Sequence, residues 1–317
     1  MSVTWRDLDA APSLLPLYQR AALKRKISGD SLPTHGVRCT LEATARQLAA
    51  YRRVCGFDPQ GVLPATWPHV LGFALQLQLL TDSKFPFPLL GLVHLSNRID
   101  VLRPLASLGQ VRLSVHAEGL QAHPKGASFN LVTRMEDALG LLWEEHSRML
   151  CRGAQMAGAA AVAQPSDIAP EPLTEVTRWY APKHIGRRYA RVSGDYNPIH
   201  LSAPTAKLFG FPQAIAHGMW TEARALAALA ARVPSAGYQL EVQFHKPLRL
   251  PSEVILRASA AGPNGQLEVR GLGEELHMSG QWRTNPIAPR AHPPEAMQPQ
   301  EMPDEPRRID PAPAPNP

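Results

Sequence analysis

Cysteine is scarce in this 317-residue chain: Cys39, Cys55 and Cys151 stand far apart and are odd in number. That argues against a disulfide framework and against a zinc site built from paired thiolates, and it suits a reducing, cytoplasmic setting. Long apolar runs are also missing. The longest, residues 70–80, is broken by Gln76 and Gln78 and falls well short of the roughly 20 residues that span a bilayer. No membrane span is expected. The opening MSVTWRDLDA carries acidic residues and no apolar core, so no secretory signal is expected there. Basic runs with interleaved aromatics are lacking as well: Lys24-Arg25-Lys26 is the one tight cluster before the tail, which argues against a nucleic-acid partner.

What is present is a composition of 44% hydrophobic and 19% charged residues, that of a soluble globular protein long enough for two domains. A net charge of +6 suits anionic partners such as phosphorylated cofactors or acidic carrier proteins. Residues 1–36 form an N-terminal arm to which the sequence assigns no role, although LLPLYQRAALKRKI within it has the look of a helix. From residue 37 a short strand, a helix ending at Gly56, an apolar helix from His69 to Leu80 and strands at 92–102, 110–119, 127–135 and 139–150 make one unit, 37–151. Residues 152–172, rich in alanine and proline without apolar period, read as a linker. The same order of elements then returns in 173–284, with strands at 175–179, 237–248, 253–261, 266–271 and 274–283. Prolines crowd among polar residues in 285–317, a composition expected to be disordered.

The two units align residue by residue. Tyr51 to Gly56 (YRRVCG) matches Tyr189 to Gly194 (YARVSG) without a gap. Leu63-Pro64 matches Phe211-Pro212, each five residues before a histidine that opens the apolar helix, His69 or His217. Leu102-Arg103-Pro104 matches Arg249-Leu250-Pro251 at nearly the same distance beyond. After the shared glycine the copies diverge: the second has Asp195 and a long loop, the first has Phe57 and lacks about ten of those residues. A helix wrapped by an antiparallel sheet, duplicated, would join its sheets edge to edge and so protect two exposed edges. An internal pseudo-dimer of α+β class is expected.

The loop of the second unit holds the candidate chemistry. Gly194-Asp195 and Asn197-Pro198 are turn-forming pairs, so Asp195, Asn197 and His200 lie on an irregular segment that could bring a carboxylate and an imidazole to one point. Beyond it, MWTEARALAALAARV has a helical apolar stripe, which sets Gly218 at a helix start with free backbone N–H groups.

The run SGDYNPIH, with AHGM at 216–219, resembles the G-D-x-N-P-x-H signature of MaoC-like (R)-specific enoyl-CoA hydratases and acyl-carrier-protein dehydratases. The resemblance extends to layout over residues 37–284, since two-copy members pair a degenerate first half with an active second one. It implies a double hotdog, a hydro-lyase of fatty acid metabolism, and reversible hydration of a trans-2-enoyl thioester to its (3R)-hydroxyacyl form. Asp195 and His200 match the family's catalytic residues and Gly218 its backbone oxyanion donor. Chemically, water addition needs a base for the water and a proton for the α-carbon, and an imidazole with a pKa near 6.5 exchanges protons readily at neutral pH. Asn197 would fix the loop or hydrogen-bond the water as well, with Gly194 and Pro198 supporting the turn. Lys207 and Lys246, with Lys183 and Arg187, could meet the phosphates of coenzyme A or of the phosphopantetheine of an acyl carrier protein; no further cofactor is implied.

His217 has a counterpart in His69 of the inactive unit, which argues for a packing or helix-start role and against a metal held by Asp195, His200 and His217. His94, His116, His123, His146, His245 and His277 lack ligand spacing and read as surface or sheet residues. The fold also suits a non-catalytic acyl-thioester binder, which has no need of the Asp195/His200 pair, and a thioesterase, a class that does not share this loop. An internal pseudo-dimer needs no second chain, yet similar family members often pair, so a homodimer is compatible with this reading.

Overall fold

The computed structural model describes residues 3–105, 109–156 and 172–284. The chain opens with β1 (Thr4–Leu8) and α1 (Leu14–Leu23), then enters the first repeat with β2 (His35–Glu42) and α2 (Ala45–Cys55). The Thr44 side chain accepts a hydrogen bond from the Gln47 N–H to start α2, and Gly56 ends it in the left-handed region at φ 80°. The long helix α3 (Trp67–Leu80) begins over Pro68 and is apolar nearly all round, as suits a helix enclosed by protein. Around it fold β3 (Leu92–Val101), β4 (Gln110–His123), β5 (Gly126–Asp137) and β6 (Gly140–Arg152).

The second repeat follows the same plan: β7 (Thr174–Ala181), α4 (Ile185–Ser193), a 3₁₀ turn (Pro198–His200), α5 (Ala203–Lys207) and α6 (Gly218–Ala228). Its sheet consists of β8 (Tyr238–Phe244), β9 (Ser252–Ala258), β10 (Asn264–Gly271) and β11 (Leu276–Thr284). Gly194 ends α4 at φ 81°, matching Gly56 at the end of α2. Tyr51 and Tyr189, aligned in the sequence, meet at 6.3 Å between ring centroids.

The eleven strands of the described residues form one sheet, in the order β1-β2-β4-β5-β6-β3-β8-β11-β10-β9-β7. Outward from the centre the order is β3, β6, β5, β4, β2 on one side and β8, β11, β10, β9, β7 on the other, so each of these ten strands has its counterpart at the same depth and β1 is the one without. The seam is the antiparallel pair β3–β8, from Ser96↔Gln243 to Val101↔Tyr238. The expected edge-to-edge joining is what the fold contains, and both repeat edges at the seam are satisfied.

The arm is part of this body. β1 adds to the sheet parallel to β2, Thr4↔His35 through Leu8↔Cys39, and covers an outer edge of the first repeat. Leu17 and Ala21 of α1 are each 1% exposed. A boundary at residue 37 therefore falls inside β2. In the linker, Arg152 is the last residue of β6 and residues 157–171 lie outside the described residues, as does the whole 285–317 tail. Among the described residues no helix is long and apolar enough to cross a membrane.

Candidate active site

The turn-rich loop is tied together by its own polar groups. Ser193, at the end of α4, donates its hydroxyl to the Tyr189 carbonyl (2.9 Å) and accepts from the Asp195 N–H (3.1 Å). Asp195 Oδ1 in turn accepts from the Asn197 N–H (3.0 Å), and the Asn197 side chain caps the 3₁₀ turn at the Ile199 N–H. Asn197 is thereby a loop-fixing residue, with Pro198 in the first turn position. His200 follows, 8% exposed, with its Nδ1–H donated to the Ile215 carbonyl at 2.8 Å. That bond sets the tautomer and leaves Nε2 with its lone pair.

Gly186 of α4 lies directly beneath. A Cβ there would overlap the His200 carbonyl, a backbone atom that cannot swing aside. Gly186→Ala is accordingly expected to push the loop off α4, costing about 1–3 kcal/mol of stability together with activity, measurable by thermal unfolding and turnover. A variant as stable and active as the parent would disprove this contact.

The other wall of the site is the start of α6. His217 caps the helix and Gly218 is its first residue, so the Gly218 N–H belongs to the set a helix leaves without an internal acceptor. A Cβ at Gly218 would come within 3.0 Å of the Phe244 ring. His217 donates Nε2–H to the Asp195 carbonyl (3.0 Å), sits 3.6 Å from Asp195 Oδ2 and stacks on His200 at 3.7 Å. One ligand atom from each of Asp195, His200 and His217, a carboxylate oxygen and two ring nitrogens, lies within 4.8 Å of the other two. Among the described residues these three also form a group that could hold a divalent cation, a mixed carboxylate and imidazole set.

The electrostatics leave the cluster as one anion and two neutral rings. Burial raises the Asp195 pKa, but His217, His200, the Asn197 N–H and His69 outweigh it and hold the carboxyl below its ordinary value. Burial dominates at the imidazoles: it lowers His200 despite Asp195, and with the repulsion of His200 it takes His217 down to about 3.

A cavity of about 880 Å³ opens between the repeats, and Asp195, Asn197, His200, His217, Gly218 and Lys246 all border it. Lys207 is exposed on α5 and is not among the described lining residues; Lys183 and Arg187 also lie outside, Arg187 bonding the Leu201 carbonyl. His94 on β3, His123 on β4 and His277 on β11 are sheet residues and His245 is exposed just after β8, as read from sequence, and all four also line the cavity; His116 and His146 make sheet contacts with Glu118 and Glu144.

Sequence reasoning missed the contribution of the first repeat. His69 borders the cavity, and its Nδ1–H is donated to Glu145, which is 0% exposed, at 2.8 Å. Asn97 donates to the same carboxylate at 2.7 Å. Burial alone would neutralise both partners, but their mutual attraction raises His69 and lowers Glu145, so the pair is ionic. The available signal was polarity inside apolar elements: His69 and Gln76 on α3, Glu145 on β6.

The MaoC like domain family matches residues 163–272, most of the second repeat. The 3-hydroxyacyl-thioester dehydratase X of Mycobacterium tuberculosis is 33% identical over 268 residues, which cover 84% of this chain and 92% of the relative. A crystal structure of HtdX from that organism matches with a TM-score of 0.68 at 32% identity, covering 78% of this chain and 99% of the other. Another Mycobacterium tuberculosis protein, described as having a double hotdog fold, matches at TM-score 0.50 and 12% identity over 83% of this chain and 96% of its own. At that identity the likeness shows the fold alone.

Proposed function

This chain belongs to the MaoC-like family, with the double hotdog fold, and on that premise we propose that it is a hydro-lyase interconverting trans-2-enoyl and (3R)-hydroxyacyl thioesters. The observation that supports this most is the meeting of the Asp195 carboxylate and His200 at the tip of α6, on a cavity bordered by Gly218. In the hydration direction, His200 Nε2 takes a proton from a water that Asp195 also holds as the oxygen joins the β-carbon. The same pair returns a proton to the α-carbon from one face. Charge built on the thioester oxygen is met by the Gly218 N–H and the positive end of α6. Lys246, at the rim, suits a pantetheine phosphate. That arm is common to coenzyme A and acyl carrier protein.

Purified protein is expected to consume crotonyl-CoA or a longer enoyl thioester without liberating thiol, and matched acyl chains on the two carriers will rank them. Thiol release would make it a thioesterase, and binding without turnover a passive acyl-thioester binder; either outcome overturns the proposal. The pH profile carries a sign. Because both pKa values are depressed, Asp195 stays ionised and His200 neutral below the ordinary imidazole range, so the acid limb of kcat/KM is expected below about pH 6.5. An acid limb above neutrality would contradict this assignment.

A further inference from the structure

The N-terminal arm reaches the loop that carries Asp195. The hydroxyl of Tyr18, on α1, donates to the Gly194 carbonyl at 2.8 Å and accepts from the Tyr196 N–H at 2.7 Å. Those are the peptide groups on either side of Asp195. The Tyr196 N–H also reaches the Gly194 carbonyl at 3.1 Å, so Asp195 stands at the apex of a tight turn whose two ends are bridged by one phenol.

Packing holds the phenol in place. The Tyr18 and Tyr196 rings meet edge to face at 6.2 Å, and α1 packs on α3 of the first repeat. Gly194 admits this approach. A Cβ there would lie 2.9 Å from Leu14 of α1 and 3.2 Å from Phe73 of α3, at a φ of +81° that disfavours other residues in any case. Burial, with the Asp195 charge nearby, drives the Tyr18 pKa far above its usual value, so the hydroxyl keeps its proton and remains a donor.

We propose that Tyr18 is a positioning residue of the active site: through Gly194 and Tyr196 it fixes the direction in which the Asp195 carboxylate faces His200, and the arm exists in part to deliver it. This rests on the hydro-lyase reading for its kinetic consequence, though not for its structural one. The two hydrogen bonds act on backbone atoms, so their loss would misdirect the carboxylate without changing its chemistry; Tyr18 also borders the cavity, and replacing it by phenylalanine keeps the ring in that wall.

The test is Tyr18→Phe in the full-length chain, with Leu15→Gln as control, since Leu15 lies on the same helix and is 71% exposed. With the hydroxyl gone, kcat is expected to fall about 10- to 100-fold, the scale of a small misplacement of a catalytic group. KM should stay within about twofold, because the phenyl ring keeps its place in the cavity wall, and the control should behave as the parent. Amide exchange at Tyr196 should accelerate. A folded Tyr18→Phe protein with parental kcat overturns the proposal, and so does a variant that cannot fold, which would make the hydroxyl a stability element. Should the parent turn over no thioester, the hydro-lyase reading falls and exchange at Tyr196 decides the clamp alone: faster supports it, unchanged overturns it.

Discussion

Asp195→Asn and His200→Ala, made separately, are each expected to lower kcat by about 10²- to 10⁴-fold, the range for a positioned acid or base. Asp195→Asn is the cleaner of the two. Its amide oxygen can still accept from the Asn197 N–H, and the His217 bond goes to the residue 195 backbone carbonyl, so the loop keeps its ties. His200→Ala removes the bond to the Ile215 carbonyl and is expected to cost about 1 kcal/mol of stability besides. Thermal unfolding of both variants near the parent, beside the kinetic loss, separates chemistry from folding. Because the pair acts on one water, the double variant should lose far less than the product of the single losses. Near-parental turnover in either single variant would remove that residue from the mechanism.

Glu145→Ala is expected to have the largest effect on stability, about 3–5 kcal/mol, because it strands the His69 charge in a buried setting and leaves the Asn97 amide only the weakly accepting Met219 sulfur. Replacing both His69 and Glu145 by leucine should recover much of that loss, since removing both partners costs less than orphaning one. The pH dependence has two signed limbs. The folded pKa of His69 is raised, so its contribution is complete below about pH 6.5 and is lost as pH climbs through the raised value. The Glu145 value is lowered, so its contribution is present above about pH 4.3 and is lost as pH falls through the folded value. His94 and His217, depressed to about 4 and about 3, act in the other direction, adding stability as pH rises toward 6.5. Subtracting the variant's melting curve from the parent's across pH isolates the pair. A difference of less than about 1 kcal/mol at pH 5.5, within the range of surface pairs, would show that the pair does not carry this weight.

Much of the architecture was legible because the chain says it twice. Paired motifs such as YRRVCG and YARVSG end in glycines that both take up left-handed caps, a local requirement that leaves a mark in sequence. The loop was legible for the same reason: Gly194, Asn197 and Pro198 are turn residues whose backbone demands hold whatever surrounds them. Contacts between distant segments left no such mark. TWRDL is too short and polar to announce a strand, and β1 forms because β2 offers it an open edge. His69 and Glu145 are separated by 76 positions, and only the closing of β6 over α3 makes a pair of them. Tyr18 looks like one more residue of an amphipathic helix until Gly194 and Tyr196 are brought beneath it. Lys207 and Lys183 lie off the cavity for a related reason, since charge is visible in a sequence while the direction of a side chain relative to a cavity is not. Lys246 borders the cavity; Lys207 does not.

The most direct measurement is a crystal structure of the Asp195→Asn variant holding a trans-2-enoyl thioester. Its carbonyl oxygen should lie within about 3.1 Å of the Gly218 nitrogen, the reach of an oxyanion donor, with the β-carbon turned toward Nε2 of His200. An acyl group bound elsewhere in the cavity, its carbonyl away from the tip of α6 and its double bond out of reach of His200, would contradict the account.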